Sequence, residues 1–124
     1  MNLVKRATNG KAVIIESNWW DPMSQDVIDE VFNEVPFPGW AFEHAAVTET
    51  SLMMYFKPEI VYFGNNVEVG ETEALPYFRY PLYKGDVPET GALASAKSSS
   101  AEKGKLIVDS VTRELVKICE KEFH

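Results

Sequence analysis

Apolar residues fall into short blocks along the chain, and the first block predicts a strand. The continuous run AVII at positions 12–15 is typical of a strand covered on both faces in a parallel sheet. Polar residues and a proline follow it at 16–22, and open α/β sheets bind ligands at the carboxyl ends of such strands. Positions 59–63 predict either a second short strand or an extended packed segment. The pattern therefore favours an α/β fold.

Two amphipathic helices are predicted on either side of the middle of the chain. The first follows Ser24, a good N-cap type, and extends for two to three turns. The last begins in the serine run 98–100, where Ser99 and Glu102 have the spacing of a capping box. Their apolar faces consist of Val27, Ile28, Val31 and Phe32 in the first helix and Ile107, Val111, Leu115 and Ile118 in the last.

The stretch 39–58 joins a polar cluster to an apolar helix. Serine and threonine at 48–51 are types that favour helix N-caps, and Pro58 is expected to end the helix. Just before this helix lies His44, the only internal histidine. A polar cluster at the start of a packed helix gives chemistry a rigid support. Residue types alone nevertheless favour a structural, hydrogen-bonded histidine over a catalytic one.

Composition narrows the classes of protein that the chain can be. With 124 residues, 45% hydrophobic and 25% charged, it fits one globular domain. A net charge of −7 argues against nucleic acid or an anionic membrane as a partner. No apolar run approaches the roughly 18 residues of a membrane span. The single cysteine, Cys119, cannot form an internal disulfide, which fits a cytoplasmic protein.

A long irregular segment is predicted between Gly64 and Gly91. It is rich in glycine, proline and aromatic residues, and such segments in compact domains are usually functional or covered by another chain. Two or three helices with one or two strands also leave sheet edges unpaired. We therefore expect this segment and the open edge to drive homo- or hetero-oligomerisation.

Three sequence blocks together resemble a known family. They are NWWD at 18–21, GWAFEHAAVTETSLM at 39–53 followed by PEIV at 58–61, and GALASAK at 91–97 followed by AEKG at 101–104. In this order they are similar to the C-terminal half of the creatininase (creatinine amidohydrolase) family. The resemblance implies that residues 1–124 form one domain, the C-terminal half of a three-layer α-β-α creatininase-type fold with a mainly parallel sheet. The family's N-terminal half, with its Asn-Gly-His-x-x-Asn stretch, has no counterpart here.

The resemblance also implies roles for four side chains. His44 matches the family histidine that shuttles a proton during ring opening, and Glu49 matches a carboxylate to which we assign a supporting role. Trp20 and Trp40 match tryptophans that cover the substrate, where flat indole faces could hold a small planar amide between them. Composition alone would make Trp20 a core or interface residue, and Glu49 could equally be a carboxylate stabilised by a helix N-terminus.

The chain is not expected to hold a catalytic metal by itself. The resemblance implies divalent metals, Zn or Mn, that are held by the N-terminal half and provide a metal-bound hydroxide. The ligand types near the candidate site are His44, Glu49 and the weaker candidates Glu43 and Asp21. They contain no His-x-x-x-His or His-x-Glu pair, and Cys119 lies far away on a predicted helix.

The leading hypothesis is therefore part of a metal-dependent amidohydrolase that acts on a cyclic or otherwise small C–N amide. Creatinine is the first substrate to consider, although members of the family also cleave formamides or process peptides. The activity would depend on a companion chain or segment that carries the N-terminal half. The alternative is a non-enzymatic remnant or assembly subunit that has kept the fold and lost the chemistry.

Overall fold

Three α-helices make up most of the regular structure among the described residues. The computed structural model describes residues 9–65, 69, 77, 80–81 and 83–123. The helices are α1 (Gln25–Val31), α2 (Val47–Phe56) and α3 (Ala101–Glu122), and two short 3-10 turns, Pro58–Ile60 and Phe63–Asn65, follow α2. No helix among the described residues is both long enough and apolar enough to span a bilayer.

The long helix α3 is the element on which the other two pack. It contacts α2 over most of the length of α2 and contacts α1 over a smaller area. The core lies where the three helices meet, and it includes Val47, the first residue of α2. Its buried members are Met23, Ile28, Val31, Phe32, Val47, Ile107 and Val111.

The predicted amphipathic helices are confirmed, but the predicted capping box is wrong. Ser100, not Ser99, is the N-cap of α3, and its hydroxyl accepts the Lys103 N–H at 3.2 Å. The Ser99 hydroxyl instead donates to the carbonyl of Val47 at 3.3 Å. The Ser100 hydroxyl therefore caps α3, and the Ser99 hydroxyl links the start of α3 to the first residue of α2.

The predicted α/β fold with a mainly parallel sheet is wrong for the described residues, which contain helices and no strand. Residues 12–15 form no strand, and the side chains of Val13, Ile14 and Ile15 are 59%, 51% and 40% exposed. Positions 59–63, predicted to be a short strand or an extended packed segment, overlap two 3-10 turns, Pro58–Ile60 and Phe63–Asn65. An apolar run becomes a strand only when a neighbouring segment forms a ladder with it. No described segment does so.

Much of the long segment between Gly64 and Gly91 cannot be compared with its prediction. Positions 66–68, 70–76, 78–79 and 82 lie outside the described residues. Among the positions that are described, the aromatic side chains of Tyr77, Tyr80 and Tyr83 are exposed. The expectation that this segment drives oligomerisation stays a prediction.

Backbone meets backbone where α2 crosses α3, and Gly104 makes this possible. A Cβ atom at Gly104 would lie 2.7 Å from the carbonyl carbon of Ser51 and 2.8 Å from Cβ of Tyr55. Gly104→Ala should therefore lower the free energy of unfolding by about 1–3 kcal/mol. This loss should outweigh the gain of about 1 kcal/mol that alanine offers over glycine inside a helix. Urea unfolding followed by circular dichroism measures the difference.

Gly64→Ala is the matched control for the Gly104 prediction. No atom lies within 4 Å of a Cβ built at Gly64, so this variant should keep the stability of the parent protein. An unchanged urea midpoint for Gly104→Ala would show that the helices separate without cost and would contradict the close contact.

Candidate functional site

His44 lies in the short loop 43–46 that leads into α2. Its Nδ1 atom is 3.6 Å from Oε2 of Glu49, which is in the first turn of α2. This distance allows electrostatic pairing when the imidazole is protonated but is too long for a hydrogen bond. The side chains are 65% and 40% exposed, respectively, so solvent or a ligand can reach both. Both side chains are therefore accessible from outside the protein.

The loop that carries His44 is held from two sides. Oε2 of Glu49 accepts the N–H of Ala45 at 2.6 Å, and Ala45 adopts a left-handed conformation with φ of 53°. The carbonyl of His44 accepts the N–H of Leu93 at 3.1 Å. A non-glycine residue stays at positive φ only when its surroundings hold it there. The backbone at His44 is thus fixed although its side chain is exposed.

Glu43 caps α2 in place of the serine and threonine types that we predicted. The helix begins at Val47, so Thr48, Thr50 and Ser51 lie within it. The Glu43 carboxylate accepts the N–H of Val47 at 3.2 Å, the N–H of Thr48 at 2.8 Å and the hydroxyl of Thr48. These are helix donors that otherwise have no partner, and the helix dipole favours a negative charge there.

Glu43 should make the stability of the fold depend on pH. Burial raises the pKa of its carboxyl above the ordinary value of 4.5, and the nearby Glu49 raises it further, against the hydrogen bonds from Thr48 and Val47. Because this pKa is higher in the folded state, the contribution of Glu43 to the free energy of unfolding is complete below about pH 4.5. It declines as the pH rises through the folded-state pKa. In Glu43→Gln the amide oxygen still accepts the helix N–H groups but does not ionise.

The urea midpoint of Glu43→Gln minus that of the parent protein should therefore increase as the pH increases from 4.5 to 8. Glu89→Gln, at an exposed position, should show no such pH-dependent gain. A midpoint difference for Glu43→Gln that stays constant across this range would mean that Glu43 keeps the same charge in the folded and unfolded states.

Three tryptophans form one aromatic cluster. The rings of Trp20 and Trp40 are stacked, with centroids 5.8 Å apart and planes 20° apart. The ring of Trp19 meets both edge-on, at centroid distances of 5.4 Å from Trp20 and 6.2 Å from Trp40. A planar group enclosed between two rings needs them about 7 Å apart, since each contact occupies roughly 3.5 Å. In this structure the stacked rings therefore contact each other and do not enclose a ligand.

Tight turns place these tryptophans. The N–H of Met23 donates to the carbonyl of Trp20 at 3.0 Å, which closes the turn before α1. Asp21, a weak site candidate in the sequence, accepts the N–H of Asn18 at 2.8 Å. Gly39, with φ of 88°, turns the chain immediately before Trp40. Asp21 thus stabilises the turn.

An open cleft of about 670 Å³ lies beside these groups. Among the described residues, Glu49 is the one charged residue that lines it, and most of the remaining lining is apolar. The cleft reaches the aromatic cluster through Trp19 and the loop of His44 through Ala45, whereas His44, Trp20 and Trp40 do not line it themselves. The lining residues are Trp19, Ala45, Glu49, Thr50, Leu52, Met53, Phe56, Ile60 and Val61.

The described residues do not fit a catalytic metal. No group of three or more histidine, cysteine, aspartate or glutamate residues among them is placed to hold an ion. His44 and Glu49 form a pair only, Glu43 is turned into the start of α2, and Cys119 is exposed on α3. Catalytic zinc sites use three protein ligands. This donor set is therefore insufficient.

The main residue that sequence reasoning undervalued is Glu43. The sequence contained a signal for a capping role, because Glu43 is a carboxylate shortly before a predicted helix. The N-cap itself is Ala46, which has no side chain that can accept a hydrogen bond. The hydrogen bond from Leu93 had no local signal, since Leu93 and His44 are far apart in sequence.

Comparison with known proteins gives a consistent result. The creatininase family model, described as creatinine amidohydrolase, matches residues 4–119. A creatinine amidohydrolase of Pseudomonas putida is 30% identical over 110 residues, which cover 89% of this chain and 42% of that protein. The chain thus spans less than half the length of this curated relative.

Solved creatininase structures agree with the sequence match. A Zn–Zn creatininase with a glutamate-to-glutamine substitution superposes with a TM-score of 0.89 at 30% identity, over 98% of this chain and 49% of that chain. A manganese creatininase superposes with a TM-score of 0.85 at 31% identity, over 98% and 48%. In both, about half of the solved chain lies outside the match.

Proposed function

The chain belongs to the creatininase family, and from this we propose that it is one domain of a metal-dependent amidohydrolase, the part that moves protons and binds the substrate. The observation that carries this proposal is the exposed pair of His44 and Glu49 at the edge of an apolar cleft. The part of a creatininase chain that this chain does not match, here called the companion half, would hold the metals. It would be a separate chain or a further segment of a longer protein.

The proposed chemistry of this chain is proton transfer to the leaving nitrogen. An amide nitrogen leaves poorly until it is protonated, and an imidazole can donate and regain a proton at neutral pH. Nδ1 of His44 faces the Glu49 carboxylate at 3.6 Å, so Nε2 is the atom free to meet a substrate. Glu49 would stabilise the protonated ring and, through the Ala45 N–H, fix the loop that carries it.

The aromatic cluster is the proposed substrate face. Two solved creatininase structures carry substitutions at tryptophans whose positions differ by twenty, which is the separation of Trp20 and Trp40 here. Another creatininase structure is a complex with creatine. These relatives make creatinine the first substrate to test. Because the two rings contact each other, the substrate would lie against the outer face of their stack.

Metal analysis provides one check of this division of roles. The structural relatives include zinc and manganese creatininases, whereas the described donors of this chain are too few. After dialysis, the isolated chain should therefore retain less than one equivalent of zinc or manganese. Elemental analysis of the parent chain and of His44→Ala makes the comparison. Stoichiometric metal that is lost in His44→Ala would place His44 among the metal ligands and contradict the proposed role.

A hybrid protein tests the function directly. In this hybrid the full chain replaces the matched 110 residues of the Pseudomonas putida creatinine amidohydrolase, which supplies the companion half. With zinc or manganese present, the hybrid should convert creatinine to creatine, and the isolated chain should not. Chromatographic measurement of both compounds gives the rate.

The same hybrid tests the competing function, a non-enzymatic remnant or assembly subunit. Two observations favour that alternative: the chain spans under half of its curated relative, and its described residues contain no set of three metal donors. A hybrid that folds and binds metal but does not open creatinine or a related small amide would support the alternative.

A further inference from the structure

Helix α2 buries two small polar side chains and exposes several of its large apolar ones. Thr48 and Ser51 are fully buried against the rest of the protein. Met53, Tyr55 and Phe56, in contrast, are exposed on the same helix. A helix at the surface of a complete protein normally shows the opposite arrangement, with one apolar stripe facing the core. The sequence of α2 is therefore that of a helix covered on more than one side.

The exposed side of α2 continues into an apolar surface that borders the cleft. Met53 and Phe56 line the cleft together with Ile60 of the following 3-10 turn, and all three side chains are exposed. We call these three residues the α2 surface. Small-molecule sites usually bury most of their ligand, and a cleft with such exposed walls cannot do so. One wall of this cleft is therefore missing.

The amount of unmatched chain in the relatives indicates what supplies this wall. The match covers 98% of this chain but only 48–49% of the zinc and manganese creatininases, at TM-scores of 0.89 and 0.85. Roughly half of each solved chain is thus available to cover a surface of the matched half. The α2 surface offers contiguous exposed apolar side chains, and contiguous patches of this kind mark interaction sites.

We infer that the α2 surface is the docking site of the companion half, and that docking closes the cleft beside Glu49. This inference rests on the proposed function, because it names the surface by which the companion half completes the site. Docking would remove Met53, Phe56 and Ile60 from water and would leave the His44–Glu49 pair at the edge of an enclosed cavity. The isolated chain would consequently have its proton-transfer groups in place but no closed pocket around a substrate.

Thiol labelling of two matched phenylalanine positions tests the docking site. Phe56 belongs to the α2 surface and is 56% exposed, whereas Phe123 follows α3 and is 57% exposed. Phe56→Cys and Phe123→Cys are made separately with Cys119→Ser, which removes the native exposed thiol. Each is labelled in the isolated chain and in the hybrid. Labelling of Phe56→Cys should be about tenfold or more slower in the hybrid, and that of Phe123→Cys should not change.

Equal labelling of Phe56→Cys in the isolated chain and the hybrid would overturn the inference. Protection that already exists in the isolated chain and grows with its concentration would also overturn it, because a second copy would then cover the α2 surface.

A second measurement does not depend on correct folding of the hybrid. The isolated chain is mixed with a separately produced companion half of the Pseudomonas putida protein, and sedimentation measures their association. Phe56→Asp should weaken the association by about tenfold or more, and Phe123→Asp should not. Absence of association, or equal effects of the two substitutions, would contradict docking at the α2 surface.

Docking and function fail separately in these experiments. A hybrid that protects Phe56→Cys but does not hydrolyse creatinine or a related amide would support the docking site and contradict the proposed function. An active hybrid in which Phe56→Cys remains freely labelled would support the proposed function and contradict the docking site.

Discussion

Replacing His44 by alanine should lower the turnover number of the complete assembly by roughly two to four orders of magnitude, the usual effect of losing a general acid–base group. The amide nitrogen would then have no positioned donor as the C–N bond breaks. Metal content and fold should be nearly unchanged, because the His44 side chain is exposed and the loop is held by its backbone. Initial rates of creatinine opening in the hybrid, at saturating substrate, give the effect.

The His44 experiment has an internal control in His124, the other histidine of the sequence. His124→Ala should keep full activity, which separates the loss of one particular imidazole from the loss of any. If His44→Ala retains full turnover, His44 is not the proton donor. If its activity disappears together with metal or with the folded state, the role of His44 is structural or metal-binding, and the proton-transfer assignment is wrong.

Trp20→Ala should lower kcat/KM by about ten- to a hundredfold, in line with the loss of an aromatic contact and its buried area. The indole of Trp20 stacks on Trp40, so its removal takes away the support of the other ring and, under the proposed function, one surface for the substrate. We expect both a higher KM and a lower kcat, because a loosened pocket captures the substrate less well and orients it less well. Steady-state kinetics on the hybrid separate the two constants.

Trp20→Phe is the conservative counterpart and should recover most of the lost activity, since a phenyl ring can still stack on Trp40. Metal content should be the same in both variants. Equal activity of Trp20→Ala and the parent protein would return Trp20 to the role of a packing residue. A loss that Trp20→Phe does not repair, accompanied by a lower urea midpoint, would lead to the same conclusion.

Local patterns in the sequence predicted the helices well. The apolar positions of α1 and α3 recur at helical spacing, and Ile28, Val31, Ile107 and Val111 are buried as that spacing requires. Pro58 stands just beyond the end of α2, where it was expected to stop the helix. These features depend on neighbours within a few residues, and the sequence contains that information directly.

Features that depend on distant contacts were not predictable in the same way. The run at 12–15 has the composition of a buried strand but forms none, because strand formation depends on a partner that the run itself cannot specify. Ser99 has the spacing of a cap, yet its hydroxyl binds the carbonyl of Val47, 52 positions away. Gly104 carried no local sign that its missing Cβ makes room for α2.

The candidate site was predicted through family resemblance more than through residue chemistry. His44 and Glu49 are five positions apart, and this separation alone does not bring their side chains together. The left-handed conformation of Ala45, which lies between them, turns the chain. The stacking of Trp20 on Trp40 likewise follows from two turns and not from a local pattern. The position of Glu43 shortly before a helix is a local signal, but its burial opposes the usual preference for exposed charge and is visible in the structure alone.

The backbone contact at Gly104 limits how the protein can move. At this point α2 and α3 are so close that a Cβ at position 104 would meet the carbonyl of Ser51. Shear between packed helices is one common way to open a cleft, and we expect so close a contact to oppose it. We therefore expect the first turn of α2, with Glu49, to keep its position relative to α3. Any widening of the cleft is then expected to come from the segment 58–65, which contributes Ile60 and Val61 to the lining and consists of short turns.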